Sequence, residues 1–133
     1  MIPRWVHRVL DVPTVRAIRG AITVAADEPE AIREAVLELL DAVRRENRVL
    51  DREVISAIFT VTPDLTAAFP AETARRAGWS SVPLLCMQEI AVPGGMPRCL
   101  RVLVHVERRW RAETPRHVYL REAVQLRPDL VRF

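Results

Sequence analysis

The chain has 133 residues and a mass of 15.2 kDa, which fits a single domain with a modest core. Half of the residues are hydrophobic, 28% are charged, and the formal net charge is +3. No apolar run approaches the roughly 20 residues that a membrane-spanning helix needs. The composition therefore predicts a soluble, globular protein that does not enter a membrane.

The basic residues bear on the kind of partner, since arginine fills all 20 of the positions counted as Lys or Arg. A guanidinium binds a carboxylate or a phosphate through two parallel hydrogen bonds, which favours recognition of a small anion. Biased genome composition is the preferred explanation for the missing lysine. The arginines are scattered and aromatic residues make up only 5% of the chain, so we expect no nucleic-acid partner.

Two cysteines, Cys86 and Cys99, both lie in apolar, strand-like runs. Two isolated thiols do not form a disulfide framework, and buried free thiols are typical of a reducing compartment. We therefore predict a cytoplasmic protein.

The N-terminal segment, residues 1–14, is predicted to be a loosely ordered extension, because chain ends are commonly loose. The alternative is a short amphipathic helix that docks on a neighbour through Trp5, Val6, Val9 and Leu10. The remainder, residues 15–133, is predicted to be one domain.

The first half of that domain reads as strand, long helix and strand. The β-branched run Ala17–Val24 predicts the first strand. A helix follows, with Asp27 as its cap, Pro29 in its first turn and an end near Asn47. Its apolar stripe predicts one face packed on a sheet: Ile32, Val36, Leu39, Leu40 and Val43. The apolar run Val54–Val61 predicts a central strand, and Thr62-Pro63-Asp64 a turn.

The second half carries shorter elements. We expect a helical turn over Leu65–Phe69 and a short helix over Ala71–Ala77 that Gly78 closes. The apolar runs Val82–Ile90 and Cys99–Val104 predict two neighbouring strands, joined as a hairpin through Val92-Pro93-Gly94-Gly95. A polar loop over Glu107–Thr114 and a final strand or short helix over Pro115–Val124 complete the chain.

This order of elements predicts an α/β (α+β) fold, with a mixed sheet of about five strands and one long helix on one face. The chain lacks the helices to cover the other face of such a sheet. Oligomerisation would supply that cover.

Two ionised residues stand out in the apolar runs, Glu89 in the first and Arg101 in the second. Charged groups are rarely buried without a partner, so this pair predicts a functional site. Arg19 and Tyr119 join them, together with a looser set of arginines: Arg75, Arg116 and Arg127. Such a group binds a small polyanion and one hydroxyl, and it offers electrostatic stabilisation and orientation.

Other chemistries lack their motifs. The sequence contains no CxxC, HExxH, GxSxG, GxGxxG or phosphate-binding Gly-rich loop, and its three histidines lie far apart. No metal site is expected. His117 is interpreted as a satisfied structural histidine rather than a general base.

Several blocks resemble the monofunctional, trimeric α/β-barrel type of chorismate mutase. The resemblance runs from about Val15 to Leu130, and its blocks are long and in order. They are Ile18–Val24, Thr62–Leu65, Ala68–Ala71, Val82–Leu84, Cys86–Glu89, Gly94-Gly95, Cys99–Val102, Arg116–Leu120 and Leu126–Leu130.

The resemblance implies a homotrimer that forms a pseudo-barrel, with active sites between subunits. It implies the rearrangement of chorismate to prephenate, in phenylalanine and tyrosine biosynthesis, without a cofactor. Arg101 is then expected beside the ether oxygen and Glu89 at the ring hydroxyl, with substrate between the two. Arg19 and Tyr119 are expected to hold a carboxylate.

The remaining expected substrate contacts come from three stretches. Leu85, Cys86, Met87 and Gln88 supply contacts beside Glu89. Phe69, Ala71 and Arg75 come from the adjacent subunit. Leu126 and Arg127 close the mouth of the site.

Two positions depart from the pattern of the family. Glu72 stands where many relatives carry Lys, which removes a charge contact near the entrance. Leu85 stands where some carry Thr, which removes a hydroxyl contact. Two other readings of the chain are a trimeric enamine or imine deaminase-like enzyme, whose motifs the sequence does not contain, and a non-catalytic anion-binding module.

Overall fold

The structure is a computed structural model that describes residues 12–111 and 113–127. Within these ranges it contains five strands, two α-helices and two short 3₁₀ helices. The strands are β1 (Thr14–Thr23), β2 (Val54–Val61), β3 (Leu84–Gln88), β4 (Cys99–Arg108) and β5 (Val118–Leu120); the helices are α1 (Pro29–Asn47) and α2 (Pro70–Arg76), with 3₁₀ turns at Asp51–Glu53 and Arg121–Leu126.

Some boundaries differ from those predicted. Thr14, the last residue of the predicted N-terminal extension, opens β1, and residues 1–11 lie outside the described residues. β4 runs on to Arg108, into the predicted polar loop. The final segment is both a strand and a short helix, since β5 leads directly into the 3₁₀ helix that begins at Arg121.

The five strands form one mixed sheet in the order β3-β2-β4-β1-β5, which confirms the predicted fold class. The three central strands are antiparallel, because β4 pairs with both β1 and β2 in that sense. The two edge strands are parallel to their neighbours, β5 to β1 and β3 to β2.

Helix α1 covers one face of the sheet with the predicted apolar stripe, whose five members are all 0% exposed. The helix approaches the sheet closely at Gly20. A Cβ atom there would lie 2.9 Å from Leu39 Cδ1 and 3.1 Å from Val102 Cγ1. A side chain at position 20 would therefore require the buried side chains of Leu39 and Val102 to shift.

The prediction that Asp27 caps α1 is wrong. Glu28 occupies the cap position and makes no side-chain cap hydrogen bond. The Asp27 carboxylate instead accepts the backbone N–H groups of Thr66 and Ala67, at 2.9 and 3.0 Å. It thus anchors the segment between β2 and α2, which carries no helical turn over 65–69, contrary to the prediction.

The predicted hairpin between the Glu89 and Arg101 strands is also wrong, because β2 lies between β3 and β4. A turn does form, with the Gly95 N–H donating to the Val92 carbonyl at 3.0 Å. It belongs to a crossover rather than a hairpin, because β3 pairs in parallel with β2. The chain from residue 89 to 98 must therefore pass the end of β2 before β4 begins.

The sheet face opposite α1 is covered only in part. Along β4, Leu100, Val102, Val104 and Val106 are buried towards the helix, whereas Arg101, Leu103 and His105 alternate with them on the open face and are half-buried. Leu85 and Met87 on the edge strand β3 are 59% and 47% exposed. This face combines exposed apolar side chains with the predicted site. No helix among the described residues is long and apolar enough to cross a membrane.

Candidate active site

One cross-strand row on the open face brings the main site residues together. Tyr119 on β5 pairs with Ala21, and Ala21 pairs with Arg101 on β4. Arg101 pairs in turn with Thr60 on β2, and Thr60 with Met87 on β3. Directly paired residues point to the same side of a sheet. The small side chain of Ala21 therefore separates the guanidinium from the phenol, and the row crosses all five strands.

Arg101 and Glu89 are in direct contact, although their strands are not neighbours. Arg101 Nε lies 3.1 Å from Glu89 Oε1, and the two side chains are 32% and 24% exposed. Nε makes no hydrogen bond within the described part of the chain, so the contact is one of charge and not a directed bond. The expectation that substrate lies between the two groups stays a prediction. It requires the contact to open, or substrate to use their other atoms.

Glu89 is held from the sheet as well as from Arg101. It follows the last residue of β3, and its backbone N–H continues the parallel ladder by donating to the Val61 carbonyl at 2.8 Å. Thr60 Oγ1 donates to Glu89 Oε1 at 2.5 Å. A carboxylate with a fixed backbone and a fixed oxygen is oriented before any ligand binds.

The start of β4 is fixed by the predicted turn Thr62-Pro63-Asp64. The Cys99 N–H donates to Thr62 Oγ1 at 3.0 Å, and the Arg98 N–H donates to Asp64 Oδ2 at 2.9 Å. These bonds fix the backbone at Cys99, which lies two residues before Arg101 and therefore on the same face of the strand. Burial raises the pKa of the Cys99 thiol, and the nearby Arg101 guanidinium opposes that shift only in part. The thiol is thus neutral at physiological pH and leaves the charge of Arg101 uncompensated on that side.

Tyr119 and Arg19 lie at the β5 side of the row. Tyr119 is 8% exposed, and its hydroxyl is buried without a hydrogen-bond partner among the described residues. The phenol packs with Ala21, Ala123, Met96 and Leu126. Arg19 stands two residues before Ala21, so it projects from the same face, and its side chain is exposed. A buried phenol that lacks a partner is a ready donor for an anionic ligand.

The predicted contacts beside Glu89 divide between the two faces of β3. Leu85 and Met87 lie on the open face, opposite Ile58 and Thr60. Cys86 pairs with Phe59 and packs against the core, while Gln88 is exposed at the strand end. Alternation of side chains thus leaves Leu85 and Met87 nearest to the row.

Three predicted residues lie away from the row within one chain. Phe69 precedes α2 and is 69% exposed, Ala71 is buried in its first turn, and Arg75 is exposed near its end. Phe69 lines a groove of ≈ 340 Å³ between α1 and α2, on the helical side of the sheet. Glu72, one of the two departures from the family pattern, lines the same groove.

The end of the described chain returns to the site. Leu126 packs against the Tyr119 cluster, and the charge of Arg127 acts on His117. His117 does not contact Glu89 or Arg101 in the structure; its Nδ1 accepts the Arg19 backbone N–H at 3.0 Å. This bond agrees with the interpretation of His117 as a satisfied structural histidine.

The arrangement suits binding and electrostatic stabilisation. It offers a guanidinium, a carboxylate held by a hydroxyl, and a phenol on a partly apolar surface. Within residues 12–111 and 113–127, no group of three or more His, Cys, Asp or Glu side chains could hold a metal ion. These groups can orient a small anion and stabilise negative charge that develops on it.

Sequence reasoning missed Thr60 and the neutral thiol beside Arg101. Thr60 is one of two hydroxyl residues, with Ser56, in the mostly apolar run Val54–Val61, and both have the opposite parity from the buried Ala57 and Phe59. That parity was readable from the sequence. Its partner Glu89 was not, because the two are joined only when β3 pairs with β2.

Comparisons with known proteins identify a family. The family model described as Chorismate mutase type I matches residues 15–130. A Thermus thermophilus protein named Chorismate mutase AroH is 55% identical over 121 residues, which cover 87% of this chain and 96% of that protein. A Bacillus subtilis (strain 168) protein of the same name is 43% identical over 117 residues, which cover 87% of this chain and 92% of that protein.

A solved structure gives the same result for the fold. The chorismate mutase from Clostridium thermocellum superposes with a TM-score of 0.74 at 43% sequence identity. The match covers 81% of this chain and 96% of that one.

Proposed function

This chain belongs to the chorismate mutase type I family, and we propose that Arg101 and Glu89 carry its isomerase reaction, the rearrangement of chorismate to prephenate in the biosynthesis of phenylalanine and tyrosine. The observation that supports these roles is the row Tyr119–Ala21–Arg101–Thr60, with Glu89 held at its end. The two free thiols and this biosynthetic role favour a cytoplasmic location.

Arg101 stabilises the breaking ether bond. As the carbon–oxygen bond opens, the ether oxygen gains negative charge, and a guanidinium beside it binds the transition state more strongly than the substrate. The contact with Glu89 involves the buried Nε and is not a directed hydrogen bond, and we assign the other two guanidinium nitrogens to the substrate oxygen.

Glu89 accepts a hydrogen bond from the ring hydroxyl. Thr60 and Arg101 both engage Oε1, and we assign Oε2 to the substrate. Arg19 and the Tyr119 hydroxyl hold a carboxylate at the other end of the row. Holding both ends selects the compact, chair-like conformer in which the reacting carbons meet, which lowers the entropic part of the barrier. No cofactor takes part.

The site is completed in a homotrimer. The open face carries exposed apolar side chains beside the row, a surface that a second subunit would cover. Phe69, Ala71 and Arg75 lie away from the row of their own chain, so they are assigned to the site of a neighbouring subunit.

A chorismate-depletion assay in a chelator tests the function. The wild-type protein is expected to consume chorismate and form prephenate, and Arg101→Ala to lower kcat about a thousandfold or more. Arg101→Lys is also expected to be poor, because a point charge replaces a planar fork. The matched control is Arg52→Ala, an exposed arginine in the first 3₁₀ helix, which should retain full activity. Loss of chorismate at only the uncatalysed rate in wild type would exclude the proposal.

A further inference from the structure

The backbone of Arg19 is tied to the start of β5 by a side chain. β5 pairs in parallel with β1 from Gly20 opposite Val118, and the residue before Val118 is His117. There the Arg19 N–H donates to His117 Nδ1, at 3.0 Å. An imidazole nitrogen thus takes the place that a strand carbonyl holds in a regular ladder.

The geometry fixes the protonation of this ring. A nitrogen that accepts a hydrogen bond carries no proton, so the ring is neutral with its hydrogen on Nε2. Protonation of Nδ1 would replace the acceptor with a second donor and break the bond to Arg19. The bond therefore exists only while His117 is uncharged.

The surroundings disfavour the charged form. Burial lowers the pKa of His117, and the positive charges of Arg19 on β1 and Arg127 in the tail lower it further. His117 also lines a cavity of ≈ 380 Å³ that Arg45 and Glu46 of α1 and its own neighbour Arg116 border. The charged neighbours of His117 are thus four arginines, Arg19, Arg45, Arg116 and Arg127, and one glutamate, Glu46.

The segment before β5 is held from the helix side as well. Asn47 Nδ2 donates to the Arg116 carbonyl at 2.9 Å, and the Arg116 N–H donates back to Asn47 Oδ1 at 2.7 Å. Asn47 fixes the segment to α1, and His117 fixes it to β1. Together they set the register of a strand of only three residues, Val118–Leu120.

We propose that neutral His117 is a positioning residue for the substrate carboxylate, because it holds Arg19 and Tyr119 in the register that lets both face one ligand group. This inference rests on the proposed function, in which those two side chains bind a carboxylate. It adds that acid weakens substrate binding by protonating His117.

The kinetic test compares two substitutions. His117→Ala removes the acceptor, and we expect KM for chorismate to rise about five- to tenfold, the loss of one hydrogen bond, with a much smaller change in kcat. His117→Asn places an amide oxygen near the position of Nδ1 and does not titrate, so KM should stay within about twofold of wild type. A merely structural role would instead lower the active fraction, and hence kcat, with KM unchanged.

The pH profile separates the two roles further. Because the pKa of His117 is lowered, kcat/KM of the wild type should fall only on the acid side of about 6.5, the ordinary pKa of histidine, while His117→Asn should lack this fall. An Asn variant that keeps the acid limb, or that raises KM as much as Ala does, overturns the proposal.

A readout independent of activity is the tautomer of His117 in the wild-type protein, from nitrogen chemical shifts. A proton on Nε2 alone at pH 7.5 is expected, and a proton on Nδ1 would overturn the proposal. If the wild-type protein failed to convert chorismate, the proposed function would be rejected. The tautomer of His117 would still show whether the hydrogen bond to Arg19 exists.

Discussion

Thr60 Oγ1 lies 2.5 Å from Glu89 Oε1, and the hydroxyl donates to the carboxylate across the β2–β3 pair. Thr60 also pairs with Arg101 on its other side, so its strand, β2, lies between the strand that leads to Glu89 and the strand that carries Arg101. We therefore assign to Thr60 the positioning of Glu89, although Thr60 carries no charge and lies 29 positions from Glu89 in the sequence.

Thr60→Val is therefore expected to impair catalysis while the strand remains intact. Valine keeps the branched shape that a strand favours and removes only the hydroxyl, which leaves Glu89 Oε1 without its donor. We expect kcat/KM to fall about 10- to 15-fold, the value of one hydrogen bond to a charged group at the lower end of its range. Steady-state kinetics measure the effect. Thr60→Ser retains the donor and should stay close to wild type; equal losses in both variants would assign Thr60 to packing alone.

The open sheet face predicts an oligomer that one charge can break. Ile58 lies on this face, paired with Leu85 on one side and Leu103 on the other. Ile58→Arg places an unpaired charge where the proposed trimer buries apolar surface, and the penalty should yield monomers with little activity. Sedimentation velocity gives the mass. The matched control is Leu50→Arg, at a 48% exposed position outside the sheet, which should remain trimeric. A trimeric Ile58→Arg would place the interface elsewhere.

The close approach of α1 to the sheet predicts a cost for any side chain at position 20. Gly20→Ala would push a methyl group to 2.9 Å from Leu39 Cδ1, in a region where Leu39 is fully buried. Overpacking of this kind costs about 1–3 kcal/mol, which thermal or denaturant unfolding detects. Adding Leu39→Val removes the clashing atom, and the double variant should be more stable than the sum of the two single changes. Simple additivity would argue against the clash.

The Asp27 anchor predicts an acid-sensitive contribution to stability. The backbone hydrogen bond from Thr66 lowers the pKa of Asp27 most; desolvation opposes it, and the hydrogen bonds from the Ala67 backbone and the Thr66 hydroxyl lower the pKa further. A lowered pKa in the folded state means that the contribution is complete above the ordinary Asp value of 3.8 and is lost as the pH falls through the folded value. Asp27→Asn keeps an acceptor oxygen but removes the titration, so Tm should fall less between pH 5 and pH 2.5 than in wild type. Identical pH curves would contradict this role.

The elements that local pattern decides were predictable from the sequence. The stripe from Ile32 to Val43 predicted α1 because a helix brings residues three and four apart onto one face. The run Val54–Val61 matched β2 at both ends. Glu89 and Arg101 were found because ionised residues are rare in apolar runs, a signal that does not depend on the fold.

Strand pairing was not predictable in the same way. The turn at Val92–Gly95 exists, but a turn shows only that the chain changes direction, not which strand it reaches. β3 pairs in parallel with β2, and this pairing places Thr60 beside Glu89. Asp27 was assigned to its nearest helix because its partners, Thr66 and Ala67, lie some 40 positions along the chain.

Strand β4 assigns core packing and chemistry to alternate positions. Positions 100, 102, 104 and 106 face α1, and positions 101, 103 and 105 face the site and the proposed interface. Mutations at the first set are expected to change folding stability, and mutations at the second set are expected to change the proposed activity and assembly. Natural selection and laboratory evolution can therefore tune the two properties separately along one strand. A single inserted or deleted codon is the one event that would exchange them, and we expect such events to be absent from active descendants.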